Sequence, residues 1–279
     1  MKIDLIDVFG SSPMTGNPLA VVHGGCDLSD HQMLRLTQWL GFSETTFLLP
    51  PEHPEADYKV RIFYPAGELP FAGHPTLGTC HAWLAAGGTP RDGNVIVQEC
   101  GVGLVRVRRD QGLLAFAAPP LIRSGPLNEE ELSNALAVTG ADPQSVVEAV
   151  HVVNGPLWQM LRLKSAADVL AATPASKAPP GTDIGLAGPC EEVAEHDWEL
   201  RAFFANQHGQ IVEDPVTGSF NAGVARHLIE SGIEAGDFVA AQGRCTGADG
   251  KVLINRDADG TIWIGGYCHT VSRAGEVAL

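Results

Sequence analysis

The chain has 279 residues, enough for two domains of ordinary size, and its 44% hydrophobic and 18% charged content argues against disorder. Its 33 acidic residues outweigh 18 basic ones for a formal charge of −15, and no Lys/Arg cluster reverses that locally, so nucleic acid and anionic membrane drop out as partners. The six cysteines (Cys26, Cys80, Cys100, Cys190, Cys245 and Cys268) are scattered with no Cys-x-x-Cys pair, which predicts free thiols rather than a disulfide framework or a zinc knuckle.

The chain opens Met1-Lys2-Ile3-Asp4, which reads at once as a strand, and no apolar run approaches the ~18 residues of a membrane span. A soluble, unexported, cytoplasmic protein is expected. A strand is predicted from Lys2 to Phe9, and Gly16-Asn17-Pro18 is a turn into Leu19–Val22. Ser29 and Gln32 have capping-box spacing at the start of a helix that carries Met33, Leu36 and Leu40 on one face and stops at Gly41. Strands follow at Thr45–Leu49 and Tyr58–Phe63, then a helix from Pro75 to Ala86, then strands at Val95–Glu99, Gly103–Arg108 and Leu113–Ala117.

Ala118-Pro119-Pro120 and Gly125-Pro126 mark a domain boundary, giving halves 1–118 and 119–266 and leaving open whether the C-terminal strand, 267–279, returns to the first. The second half predicts a helix at Glu129–Ala137 and strands at Ala149–Val153, Trp158–Leu163 and Trp198–Ala205. Pro174 to Asp183 reads as a loop. A helix from Val216 to about Glu230 carries Phe220, Val224 and Leu228 on one face, and strands near Lys251–Asn255, Thr261–Gly265 and Cys268–Arg273 close the chain. Each half thus reads as an antiparallel sheet with a helix against it, an α+β architecture.

Two segments 140 positions apart, His74-Pro75-Thr76-Leu77-Gly78-Thr79 and Asp214-Pro215-Val216-Thr217-Gly218-Ser219, share a pattern of ionisable residue, Pro, two residues, Gly and hydroxyl. Each is expected to open a helix, which makes an internal duplication plausible. First-turn N–H groups are unpaired and sit at the positive end of the macrodipole, and the small Gly78, Thr79, Gly218 and Ser219 would let a carboxylate approach. Either segment alone also reads as a plain helix start; the pair, each led by an ionisable side chain, points to function. Local dipoles of this kind let an acidic protein bind an acidic ligand.

Glu44 follows a helix stop and enters a strand between Phe42 and Phe47. Desolvation beside rings would raise its pKa into a range where it can both take and return a proton, while the alternative is a solvated loop tip. Glu68 reads as a turn residue, and of ten histidines only His74 lies in a dense motif. No His spacing suits a metal, and no dinucleotide fingerprint, phosphate loop or nucleophile elbow occurs, so neither cofactor nor metal is expected.

Asp7-Val8-Phe9, Gly16-Asn17-Pro18-Leu19-Ala20-Val21-Val22, Ser43-Glu44-Thr45-Thr46-Phe47, and Arg61-Ile62-Phe63 leading to Glu68-Leu69-Pro70-Phe71-Ala72-Gly73-His74-Pro75 resemble the PhzF (phenazine biosynthesis-like) family. So do Glu213-Asp214-Pro215-Val216-Thr217-Gly218-Ser219 and Gln242-Gly243. The resemblance implies a diaminopimelate epimerase-like fold of two pseudo-symmetric domains with the active site between them, homodimers, and cofactor-independent isomerisation of a small carboxylate-bearing substrate. It implies Glu44 as the proton-moving carboxylate, His74 and Asp214 as groups that hold and polarise the substrate, and Gly73 and Ser219 as substrate contacts. Thr76 and Gly218 join them as expected members of the anion clamp. The related epimerases use two cysteines, whereas here those regions carry Gly73-His74 and Asp214. Many phenazine-pathway members continue after the matching serine with Ala-His; Phe220-Asn221 stands here, which puts the substrate in doubt. The rival readings are a carboxylate-binding protein that has lost turnover and, less favoured, a hydrolase built on Ser219.

Overall fold

The computed structural model describes residues 1–277. Two compact units make up the chain, one of Met1–Ala117 together with Gly265 onward, the other of Ala118–Ile264. Elements are numbered along the chain. The first unit holds β1 (Lys2–Val8), β2 (Asn17–His23), α1 (Asp30–Leu40), β3 (Thr45–Leu49), β4 (Tyr58–Tyr64), β5 (Gly67–Leu69), α2 (Gly73–Ala85), β6 (Val95–Cys100), β7 (Gly103–Asp110), β8 (Leu113–Ala117) and the last strand, β18 (Cys268–Glu276). The second holds β9 (Arg123–Pro126), α3 (Glu129–Thr139), β10 (Val146–Val153), β11 (Gln159–Leu163), α4 (Ala166–Ala171), β12 (Asp183–Pro189), β13 (Trp198–Ala205), β14 (Ile211–Asp214), α5 (Gly218–Glu230), β15 (Phe238–Gln242) and β16 (Gly250–Arg256), followed by β17 (Ile262–Gly266). The expected C-terminal strand is thus β18 as far as it is described; residues 278 and 279 lie outside the described residues. No helix among the described residues is long and apolar enough to cross a membrane.

The sheets are mixed rather than purely antiparallel. In the first unit β1 lies antiparallel between β18 and β2, β2 pairs parallel with β3, β3–β4 and β4–β5 are antiparallel, and β4 pairs parallel with β6. The second unit repeats the order: β10 lies antiparallel between β9 and β11, β11–β12 is parallel, β12–β13 and β13–β14 are antiparallel, and β13–β15 is parallel. Each parallel pair is bridged by a helix (α1, α2, α4 or α5), since a parallel return needs a crossover that a tight turn cannot provide. The short β5, β9, β14 and β15, the longer β12 and the helix α4 are elements that the sequence pattern does not predict.

The repeat is real, but its register differs from the motif spacing. Asp57 and Asp197, 140 apart, make the same contacts: each backbone N–H donates to the carbonyl of Val97 or Val239 (2.8 and 2.9 Å), and each carboxylate accepts that valine's N–H (2.8 and 2.7 Å). Ile62 then pairs with Leu69, whereas Ala202 pairs with Asp214, so the second hairpin is five residues longer. The helices therefore start 145 apart, at Gly73 and Gly218. His74 and Ser219 take the second helical position in each. Pro75 sits inside the first turn of α2, and Pro215 lies before α5 begins.

Gly78 and Gly223 occupy matching positions in these helices. A Cβ on Gly78 would lie 2.5 Å from Leu19 Cδ2 and 2.9 Å from Val8 Cγ2; on Gly223 it would lie 2.6 Å from the Val152 carbonyl oxygen. Gly78 therefore seats α2 on β1 and β2, in place of the ligand approach expected of it. Gly78→Val forces a branched side chain into that contact, and thermal unfolding is expected to show a loss of about 1–3 kcal/mol, the usual cost of overpacking.

Against this frame α1 behaves as its sequence dictates. Ser29 Oγ accepts the Gln32 N–H, Gln32 Oε1 accepts the Ser29 N–H, and Gly41 ends the helix at φ 74°. Met33 and Leu36 pack with Val22, Phe47 and Phe63, the two phenylalanine rings meeting edge to face at 5.6 Å.

Candidate active site

Glu44 lies in the short loop between Gly41 and β3, and β3 is bound to α2 by a hydrogen bond from Thr79 Oγ1 to Thr46 Oγ1 at 2.8 Å. That link sets the residue before β3 against the start of the helix. Glu44 Oε2 stands 3.5 Å from His74 Nε2, with side chains 17% and 5% exposed. Burial pushes the His74 pKa down to about 3, so the ring is a neutral imidazole at physiological pH. Its Nε2 is buried and makes no hydrogen bond among the described residues. A neutral ring adds no positive charge beside the Glu44 carboxylate, and so does not itself weaken that carboxylate as a base.

The first turn of α2 is tightly held. Tyr58 OH donates to Gln98 Oε1 (3.0 Å), and Gln98 Nε2 donates to Thr76 Oγ1 (3.0 Å), all three residues being buried. The Thr76 N–H donates to the Ala72 carbonyl at 3.1 Å. Thr76, expected in the anion clamp, therefore has its amide occupied and its hydroxyl accepting one hydrogen bond. The first-turn N–H groups with no intrahelical carbonyl to reach are those of Gly73 and His74, because Pro75 has none.

In the second unit, Asp214 ends β14 and is 7% exposed. Thr217 Oγ1 donates to Asp214 Oδ2 at 2.6 Å. Gln242, at the end of β15, ties the segment together: its Oε1 accepts the Thr217 N–H (3.0 Å) and Asn221 Nδ2 (2.8 Å), while its Nε2 donates to the Asp214 carbonyl and to Thr217 Oγ1 (both 3.0 Å). All these groups are buried, so Gln242→Ala strands several of them. Urea unfolding is expected to register a loss on the order of 2–3 kcal/mol, with Gln242→Glu falling between it and wild type.

Gly218, Ser219 and Phe220 form the first turn of α5, and the Asn221 N–H already donates to the Thr217 carbonyl at 3.0 Å. Ser219 Oγ accepts Trp158 Nε1–H at 3.0 Å, and its carbonyl accepts Asn154 Nδ2 at 2.8 Å. The Phe220 ring is fully buried, 5.2 Å from the Trp158 ring and stacked over Gly185, where a Cβ would meet Phe220 Cζ at 2.1 Å. Asn221 is 1% exposed and spends its amide on the Thr217 carbonyl and Gln242. Phe220 and Asn221 are thus both held in the interior of the second unit.

The structure brings Glu44, His74 and Gly73 together at one helix start, and Asp214, Gly218 and Ser219 around the other. Tyr58, Gln98, Asn154 and Trp158 hold these groups and carry no sequence signal, being ordinary strand or turn residues until paired; Thr217, inside the second motif, holds Asp214. Asp7, by contrast, stands in the sequence only as part of a motif. Its carboxylate accepts the N–H groups of Gly16 (2.9 Å) and Thr15 (3.1 Å), and burial raises its pKa. The Asp7-Val8-Phe9 and Gly16-Asn17-Pro18 motifs are therefore two sides of one loop clasp. Among the described residues no group of three or more His, Cys, Asp or Glu side chains is placed to hold a metal ion.

Residues 6–273 match the family described as phenazine biosynthesis-like protein (PhzC-PhzF). The chain is 35% identical over 241 residues to the trans-2,3-dihydro-3-hydroxyanthranilate isomerase of Pseudomonas chlororaphis, covering 84% of this chain and 82% of that one. It is 34% identical over 226 residues to antisense-enhancing sequence 1 of Schizosaccharomyces pombe, covering 77% and 75% respectively. The solved structure of a PhzF-family phenazine biosynthesis protein from Enterococcus faecalis matches with a TM-score of 0.79 over 100% of both chains at 20% identity, which shows a common fold.

Proposed function

The chain belongs to the phenazine biosynthesis-like family and is an isomerase, and from that premise we propose that Glu44 moves a proton between two carbons of a small carboxylate-bearing metabolite. The carboxylate takes the proton from one carbon, whose electron pair spreads into the adjoining unsaturated system. The resulting acid returns the proton to a second carbon, so composition and oxidation level are unchanged and no co-reactant is consumed. The observation that carries this reading is the shielded contact of 3.5 Å between Glu44 and a neutral His74.

In this scheme His74 holds a polar substituent of the substrate through its buried ring, and the N–H groups of Gly73 and His74 face the charge that develops during transfer. Asp214, fixed by Thr217 and Gln242, orients a donor group of the substrate. Gly218 and Ser219 bind the substrate's carboxylate at the positive end of α5.

The test is incubation in D2O with trans-2,3-dihydro-3-hydroxyanthranilate, the compound for which the Pseudomonas relative is named, and a panel of other cyclohexadienyl and amino-acid carboxylates. Carbon-bound deuterium, read by mass spectrometry and NMR, is the expected result. Tight binding of panel members with no exchange into any of them would instead make this a carboxylate-binding protein.

A further inference from the structure

We propose that Trp158, braced by Phe220, is a positioning residue that turns the Ser219 hydroxyl into a donor for the substrate's carboxylate; this rests on the reading above. A serine hydroxyl has one proton to give and two lone pairs to accept with, and its rotor is free unless a neighbour settles it. Trp158 Nε1–H can only donate, and it points at Ser219 Oγ from 3.0 Å. One lone pair is thereby taken, and the Ser219 proton is directed away from the indole toward whatever acceptor meets the start of α5.

The indole is not free to swing. Trp158 is 3% exposed, its carbonyl accepts the Val152 N–H at 3.0 Å, and its ring lies against Phe220, which in turn fills the space left by Gly185. Asn154, from the same connection between β10 and β11, grips the Ser219 carbonyl at 2.8 Å. Ser219 is therefore held at side chain and main chain by two donors from one loop. Phe220 contributes to specificity from beneath, through the indole it supports, without itself meeting substrate.

The test compares Trp158→Phe, Ser219→Ala and the double variant in steady-state isomerisation of whichever panel carboxylate exchanges fastest with wild type. Trp158→Phe deletes the N–H and keeps an aromatic ring toward Phe220, at the cost of a small cavity where the larger indole stood. Loss of a hydrogen bond to a charged group predicts a rise in KM of about tenfold or more for Ser219→Ala, with kcat within about twofold. Trp158→Phe should reproduce most of that rise, with the modest fall in Tm that a smaller buried ring brings, and the double variant should have a KM no higher than Ser219→Ala. A role confined to general stability would instead add to the serine effect on KM in the double variant, which overturns the proposal. Normal KM in Trp158→Phe beside a raised KM in Ser219→Ala overturns the role of Trp158 and leaves the proton-transfer reading intact. Normal KM in both variants also overturns it. Absence of exchange in wild type sinks that reading, and this inference with it.

Discussion

Glu44→Gln is expected to lower kcat by about 10²–10⁴-fold, the range that general acid–base transfer contributes, while KM stays within a few-fold. The substitution preserves volume and a polar head beside His74, so binding and folding are little disturbed. What it removes is the group able to accept a proton from carbon and return it. His74 is a poor understudy despite standing 3.5 Å away, because a base with a pKa near 3 has little drive to deprotonate carbon at neutral pH. His74→Gln should accordingly cost less than Glu44→Gln, and mostly through substrate orientation. Deuterium incorporation measured on the same samples separates a slowed proton transfer from a slowed later step. A loss of under tenfold for Glu44→Gln, in an assay where wild type turns over, would end the case for this residue as the shuttle.

The parts of the fold that show in the sequence are those whose physics is local. The capping box at Ser29 and Gln32, the stop at Gly41 and the alternation of the longer strands needed no tertiary knowledge. What stayed hidden was settled at a distance. β5, β14 and β15 have three to five residues each, too short to establish a period, and they are strands because a neighbour accepts them. Pro75 and Pro215 illustrate a subtler failure. Their shared pattern is genuine, but a hairpin longer by five residues in the second half shifts its helix, so equal motif spacing does not mean equal structural position. The true equivalents, His74 with Ser219 and Gly78 with Gly223, look unlike or unremarkable in sequence.

The candidate site divides along the same line. Glu44, His74, Asp214 and Ser219 could be named from the family resemblance, and Glu44 and His74 do meet. Their supports are less legible: a buried glutamine such as Gln98 has no signature until its partners are known, and Gln242, though part of a family motif, gives no hint of the bonds it makes. The small residues also misled. Gly78 and Thr79 suggested room for a ligand, whereas Gly78 packs on Leu19 and Val8 and Thr79 bonds Thr46. Composition reports that a backbone can be approached closely, and the fold decides what approaches it.

His74 should also govern how the protein responds to acid. Its pKa is near 3 when folded against an ordinary value of 6.5, so between those values the unfolded chain carries a proton that the native state excludes. Unfolding then takes up a proton, and stability rises with pH through this window. Above about pH 6.5 both states are neutral at this position and nothing is lost. As pH falls toward 3, the native state pays nothing itself but the unfolded state gains, at up to about 1.4 kcal/mol per pH unit. Glu199 and Asp183 run the other way: burial raises them to about 7 and about 6, so each holds its proton longer in the folded state and favours folding as pH falls. Wild type alone therefore mixes opposing slopes, and the informative quantity is its difference from His74→Gln. Urea unfolding near pH 7 and near pH 4.5 should show wild type losing about 2 kcal/mol more than the variant over that interval. Equal losses would mean that His74 protonates as readily in the folded protein as in the unfolded chain. The imidazole beside Glu44 would then be a cation through much of this range, and a carboxylate paired with it would be a weaker base than the proposed reaction requires.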